Sequence, residues 1–517
     1  MPLPAAILVA LALLVSPAIR AQSADRPFGK DEAEHLLNRI GFGGTPEEIA
    51  AATARGREAT VDFLLDRALE ETAAAVPFPV KDVRTEARKA VRAEGRKLDP
   101  AERRKLTAAA RQKDGEQLLR YRDAWIERMI SSESPAVEKL TLFFAGHFTS
   151  SQRDVKNSAH MIAQAETLRR NALGSFRTML HEIARDPAML AYLDNDDNKK
   201  QAPNENFARE VMELFTLGVG NYTEADVKEA ARAFTGWRAE GDRFVLNARQ
   251  HDFGTKTVLG RTGRFDGDDV LDILLAEEAA PRFVASRMLS FFVAPDPSPA
   301  LIAKYAALLR ANDWSLRPVF RSLFLDPAFY ADDVMFGRIL GPVEFGVAMA
   351  RKFPGRKPPG RLVAAAADLL GQSLFAPPNV KGWEGGESWM TTSAMLLRGN
   401  LALAMVDGAD AIKTDLFRRS SGELQGGYGR EPLVWKPDFE VGRLLETAAV
   451  ETPEQAVDVL CDRFLSAPVS AEARAELVSY VKASCIDGRF IVRGPVSERA
   501  HRRLLHLILS LPEAQLG

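Results

Sequence analysis

Apolar residues recur three and four positions apart along most of the chain, the spacing of one buried face of an α-helix. Phe207, Val211 and Leu214 make one such stripe, and Asn206, Glu210 and Glu213 make a polar stripe beside it. The segment 203–218 therefore predicts a helix, with Pro203 suited to its start, Asn204 able to cap it and Gly218 able to close it. Similar patterns predict an amphipathic helix over 28–40, a core helix over 137–148, a helix pair over 157–184 and further helices over 223–237 and 267–331. Thr45, Pro46 and Glu48 spell a capping box with proline at the first helical position, after the corner Gly41-Phe42-Gly43-Gly44. Thr223 with Asp226 repeats the capping pattern.

The period changes only near 241–265. There Phe244-Val245-Leu246 and Thr257-Val258-Leu259 flank His251-Asp252, which predicts one small β-hairpin with that pair at its turn. The expected fold is mainly α, a multi-helical array with this hairpin inserted. Residues 1–21 have the form of a signal peptide: the apolar run from Ala5 to Val15 is too short to span a membrane and ends near the small residue Ala21. A main helical domain is expected over 22–410, a Gly-rich linker over 411–435 and a helical region over 436–517. The remaining chain has no apolar run long enough to cross a bilayer, so the mature protein is expected to be exported, periplasmic or secreted.

Composition narrows the function classes. The chain has 517 residues, is 46% apolar and 27% charged, and carries a net charge of −2. That balance gives no global attraction to nucleic acid. The Arg- and Lys-rich stretch 81–122 has acidic residues throughout and reads as a solvated helical hairpin, broken at Asp99-Pro100. No Cys-x-x-Cys-His is present, which excludes an attached heme; no phosphate loop or Gly-x-Ser-x-Gly elbow appears either, so nucleotide and serine-hydrolase chemistry are not indicated. Cys461 and Cys485 are compatible with a disulfide or with two separate thiols.

Candidate chemistry centres on the 203–218 helix. Two carboxylates at the border of a buried face need a cation, a metal or a proton to offset them. Glu210, Glu213 and His147 are the candidate catalytic residues. The same three with His251 and Asp252 could hold a divalent metal. Arg209 is placed four residues from both Glu205 and Glu213 and could pair with either. Asn204 and Asn206 complete the helix start. The cluster from Asp194 to Asn198 is either a hard-cation loop or an Asx-rich turn. Trp383 and Trp389 lie in a Pro- and Gly-rich segment and either line a ligand surface or pin the loop to the core.

Four segments together resemble a bacterial family known as domain of unknown function 1800: His35-Leu36-Leu37-Asn38-Arg39-Ile40-Gly41-Phe42-Gly43, Asn204 to Gly220, Ala233-Phe234-Thr235-Gly236-Trp237, and Pro377-Pro378-Asn379-Val380-Lys381-Gly382-Trp383. The resemblance spans nearly the whole mature chain. It implies export and a sulfatase-like exported protein as partner, and it carries no activity with it. Family members often show two histidines around a glycine, where this chain has Phe144-Ala145-Gly146-His147-Phe148, so His147 stands alone. Two functions fit these observations. One is a metal- or carboxylate-dependent hydrolase or lyase acting on an extracellular polymer such as polysaccharide. The other is a non-catalytic export or assembly partner of the sulfatase-like protein.

Overall fold

In the computed structural model, residues 26–74, 78–94, 98–408, 434–485 and 487–517 are described. The expected signal peptide and nearly all of the expected linker lie outside them. Helices dominate, and the strands are short and confined to 237–263 among the described residues. The caps read from sequence do what their chemistry dictates. Thr45 accepts from Glu48 N in a full capping box with Pro46 at the first position. Asp99 caps the long helix Pro100–Ser131, against which Val83–Glu94 packs. Thr223 and Asp226 close a reciprocal box on Glu224–Ala233.

The predicted hairpin is replaced by two. β1 (Trp237–Glu240) pairs antiparallel with β2 (Arg243–Leu246), Trp237 opposite Leu246. β3 (Lys256–Val258) pairs with β4 (Arg261–Gly263), Lys256 opposite Gly263. Residues 244–246 and 257–258 thus find local partners instead of each other. Two-residue turns explain the outcome. Gly241 sits at φ +68° between β1 and β2, and Leu259 and Gly260 sit at φ +48° and +76° between β3 and β4. These positive-φ turns match the right-handed twist of paired strands, and they close loops shorter than the predicted one.

Two hydrophobic cores carry the helices. The first gathers Leu36, Phe144, Phe207, Val211, Phe234, Phe292 and Phe324. The second gathers Trp125, Val343, Leu362 and Leu401 with Leu504, Leu505 and Ile508, so the region after 436 packs into a core begun far upstream. The helix Ala136–His147 serves both, with Phe143 and Phe144 in one and Leu142 in the other. The His35–Gly43 motif has a structural duty at the first core. His35 Nε2 is 3.0 Å from the Phe329 carbonyl, and Arg39 donates to the carbonyls of Val293 at 3.2 Å and Val334 at 2.8 Å. Cys461 and Cys485 are both free thiols, and burial pushes the Cys461 thiol up to about 12. No helix among the described residues is long and apolar enough to cross a membrane.

Candidate functional site

The central helix starts where the sequence places its cap. Asn204 Oδ1 accepts from Asn206 N at 3.0 Å, and α-helical turns run from Glu205 to Glu210. From Val211 to Thr216 the helix widens into a π-turn. Leu217 N then reaches the carbonyl of Met212, five residues back, at 2.8 Å, and the Thr216 hydroxyl bonds the Val211 carbonyl at 2.6 Å. Such widened turns recur at functional sites and displace the residues that follow from their α-helical positions. Gly218, at φ +79° with Phe283 beside it, ends the element.

Phe207 and Val211 are buried as the apolar stripe predicts. The polar stripe is divided. Asn206 donates to the Leu193 carbonyl at 3.2 Å. Glu213 accepts the Tyr222 hydroxyl at 2.7 Å. The carboxylate of Glu210, half-buried between them, takes part in no hydrogen bond or ion pair among the described residues. Burial, then the neighbouring charge of Glu213, raises the Glu210 carboxyl above the usual glutamate range, with Arg209 and Lys381 opposing. The same surroundings act on two phenols. Burial with the Glu213 bond pushes Tyr222 up to about 12, and burial with the charges of Asp154 and Glu210 pushes Tyr192 up to about 12.

Arg209 does not pair with Glu213 as its spacing allowed. It bonds Glu205 at 3.2 Å and grips both oxygens of Glu224 at 2.7 and 2.8 Å. A planar guanidinium favours that two-pronged geometry over a single contact along its own helix. The Arg209 charge is thereby held by other acids, and Glu210 and Glu213 keep their mutual repulsion.

His147 lies beneath this surface, 3% exposed. Its Nε2 donates to the Phe215 carbonyl at 3.0 Å, inside a ring of Phe143, Phe148, Phe176, Phe215 and Phe283. Burial and the charge of Arg287 push it down to about 3, so the ring is neutral and its unpartnered Nδ1 carries the lone pair. The imidazole holds the loose end of the π-turn and makes no contact with the carboxylates. Replacing His147 with Phe orphans a carbonyl in an apolar setting, and the unfolding free energy is expected to fall by about 1–3 kcal/mol with the fold retained. Circular dichroism and denaturant unfolding check this; an unchanged midpoint refutes the anchoring role.

The other predicted residues are placed apart from Glu210. His251 Nδ1 is 2.7 Å from the Thr235 carbonyl, and Asp252 accepts from Arg232 Nε at 2.8 Å, so both fasten the connection between the hairpins. Among the described residues no three His, Cys, Asp or Glu side chains are grouped as metal ligands would be. The metal shell expected from Glu210, Glu213, His147, His251 and Asp252 is not assembled. The Asp194–Asn198 cluster is a hydrogen-bonding turn. Asp194 adopts φ +56° and its carbonyl accepts from Asn204 Nδ2 at 3.1 Å. Asn195 reaches the Trp237 carbonyl at 3.1 Å, and Asn198 bonds Asn195, the Ala231 carbonyl and Asn204 N, each at 3.0 Å. Asn195 and Asn198 are buried against these backbone groups while Asp194, Asp196 and Asp197 are exposed, and Asn198 fixes the start of the central helix.

The Pro377–Trp383 segment lies against the end of the His147 helix. Thr149 donates to the Val380 carbonyl, and Gly382, at φ +83°, backs onto the Gly146 carbonyl so closely that a Cβ would stand 2.9 Å from it. This close approach leaves Lys381 exposed and near enough to act on Glu210. Trp383 is half-buried with an unpartnered Nε1, and Trp389 lies over Gly371. Lys381, Tyr222 and Tyr192 are the site residues missed by helical periodicity. Lys381 could have been found as the only cation in the Pro377–Trp383 motif. The tyrosines carry no local signal, because they meet the acids only through the fold.

The fold and site thus define a mainly helical protein in which a π-turned helix presents an unpaired, partly desolvated glutamate beside a second carboxylate. Residues 35–516 match the family described as Protein of unknown function (DUF1800), and the chain belongs to it. No curated protein and no solved structure matches the chain.

Proposed function

We propose that the protein is an exported, carboxylate-dependent hydrolase or lyase acting on an extracellular polymer such as polysaccharide, with Glu210 as its proton-transfer group. The observation that carries this reading is the state of the Glu210 carboxylate: half-buried, without a hydrogen bond or ion pair among the described residues, and raised in pKa by burial and by Glu213. A carboxyl whose pKa is raised in this way holds its proton more firmly than an exposed glutamate and can deliver it to a leaving oxygen. Tyr222 keeps its proton and donates it in a hydrogen bond to the Glu213 carboxylate. That charge strengthens the grip of Glu210 on its own proton. Lys381, exposed on the adjoining loop, offers a positive contact for an acidic polymer. Export rests on the apolar run from Ala5 to Val15.

Glu210→Gln tests the reading in two ways. A carboxyl whose folded pKa is raised contributes most below the unfolded value and loses that contribution as pH rises through the folded value. The variant should therefore match the wild type in stability near pH 4 and melt about 1–2 °C higher near pH 7. Release of reducing ends or unsaturated products from a panel of polysaccharides should fall about 100-fold or more. A variant that turns over polymer as well as the wild type removes Glu210 from the chemistry. Wild-type inactivity across the panel leaves the non-catalytic partner of a sulfatase-like protein as the better reading.

A further inference from the structure

Two cations on the elements around the central helix carry no partner. Lys381 and Arg287 are exposed, and neither side chain takes part in a hydrogen bond or ion pair among the described residues. Lys381 is next to Gly382, which backs onto the Gly146 carbonyl, and its charge acts on Glu210. Arg287 lies on the helix Ala279–Phe292, which packs on the π-turn. One turn before it, the Phe283 ring lies against Gly218 and stands 6.1 Å from the His147 ring. The charge of Arg287 reaches His147, the residue after Gly146. Both cations therefore meet at the end of the Ala136–His147 helix, one from a loop and one from a helix.

Arg287 is set apart by its surroundings. It keeps exposed surface, yet enough protein surrounds it for burial to push its guanidinium below the ordinary arginine range. The side chain is thus flanked without being covered. Every other Arg or Lys lowered by burial among the described residues has an acid acting on it, as Glu344 does on Arg39 and Arg398 and Glu47 does on Arg463. Arg287 has none. Ser286 and Ser290, half-buried on the same helix, also leave their hydroxyls without a partner among the described residues. A guanidinium favours a flat, two-oxygen acceptor such as a carboxylate or a sulfate. Glu210 and Asp154 both act on Tyr192, so the acid groups of a ligand are repelled there and drawn toward Lys381 and Arg287. Phe215, whose carbonyl meets His147, is five residues after Glu210, about 7 Å along the helix axis. Lys381 acts at Glu210 and Arg287 acts beside Phe215, so the two cations are offset along the central helix. A chain with an acid group on each unit meets both more readily than a single small anion.

We infer that Lys381 and Arg287 bind the acid groups of an anionic polysaccharide, carboxylates of uronic acids or sulfate esters, and so set its register over Glu210. This register rests on the polymer reading of the Glu210 surface, and it is tested by binding, apart from turnover. The full mature chain is titrated by calorimetry with polygalacturonate, dextran sulfate and neutral dextran. Saturable binding is expected with at least one of the two polyanions, weakening as salt screens it, and not with dextran. A preference for polygalacturonate identifies carboxylates, and a preference for dextran sulfate identifies sulfate esters. Arg287→Gln and Lys381→Gln should each weaken binding about tenfold or more. Arg282→Gln is the control, because Arg282 is exposed on the same helix about 140° round from Arg287 and its loss removes the same charge. Binding should be unchanged in that variant. Glu210→Gln should bind at least as tightly as the wild type, since it removes a negative charge. A polyanion that binds in this pattern without being cleaved keeps the cationic register and removes the chemistry proposed for Glu210. No saturable binding of either polyanion, equal binding of dextran, or equal losses in Arg282→Gln and Arg287→Gln overturns the register, whatever the activity of Glu210.

Discussion

Glu344→Gln should lower the unfolding free energy by about 3–5 kcal/mol, roughly 3–5 °C in melting temperature for a chain of this size. Glu344 is 3% exposed and starts the helix Pro342–Lys352. It pairs with Lys139 and Arg338, and its Oε2 accepts from Gly341 N at 3.1 Å. Arg39 and Arg398, 1% and 0% exposed, lie close enough for its charge to act on them as well. One carboxylate therefore offsets several buried cations at the junction of the two cores. Burial alone would raise its pKa, but Arg338 and Lys139 hold it far below the usual range. Lys139 is pulled down to about 8, chiefly by burial, while Glu344 opposes the fall. Glutamine keeps the shape and the bond to Gly341 but removes the charge, and Lys139 then loses its proton near neutral pH. The sign with pH follows. A depressed carboxyl contributes stability above its unfolded pKa and loses it as pH falls through the folded value. The gap between wild type and variant should be widest at neutral pH and close in strong acid. Denaturant unfolding at pH 7 measures it, and a difference below about 1 kcal/mol contradicts a net stabilising role for the cluster.

Asn198→Ala should be nearly as damaging, by roughly 2–4 kcal/mol, although it removes only a small polar side chain. Asn198 is 1% exposed and holds three separate pieces of chain: the Asn195 side chain, the last-turn carbonyl of Ala231 and the backbone N–H of Asn204. Alanine leaves the Ala231 carbonyl and the Asn204 amide without these partners. It also loosens the start of the helix that carries Glu210, so turnover should fall together with stability. Asn198→Asp separates this role from cation binding. Aspartate keeps an acceptor for Asn204 N but turns oxygens toward Asn195 Oδ1 and the Ala231 carbonyl. If the side chain is structural, that variant is also destabilised and added Ca²⁺ does not restore it. Recovery of the melting temperature by Ca²⁺ would instead revive the cation loop.

The candidate site shows how far local pattern carries. Glu210 and Glu213 were legible because a stripe of acids beside Phe207 and Val211 can be read at helical spacing, and the helix lies where that spacing puts it. The π-turn was not legible, because no residue type marks the place where bonding shifts by one position. It is held by Thr216 and by a histidine 68 positions upstream of Phe215. The partners of Arg209 were legible in part, since Glu205 is one of them at 3.2 Å. Its spacing offered Glu205 and Glu213, yet Glu224, on the next helix, presents both oxygens to the guanidinium.

The sequence by itself determined the helical class, the capped starts at Thr45, Asn204 and Thr223, the proline that opens the long helix at Pro100, and the family. These features depend on residues within a few positions of each other, where side chain and backbone must meet whatever the rest of the chain does. Tertiary structure decided that His147 is a buried neutral support, that His251 and Asp252 fasten a connection, and that Lys381 overlooks Glu210 across 171 positions of sequence. Those outcomes turn on which buried donors and charges the packed cores leave without partners, and in this chain the partners come from segments distant in sequence.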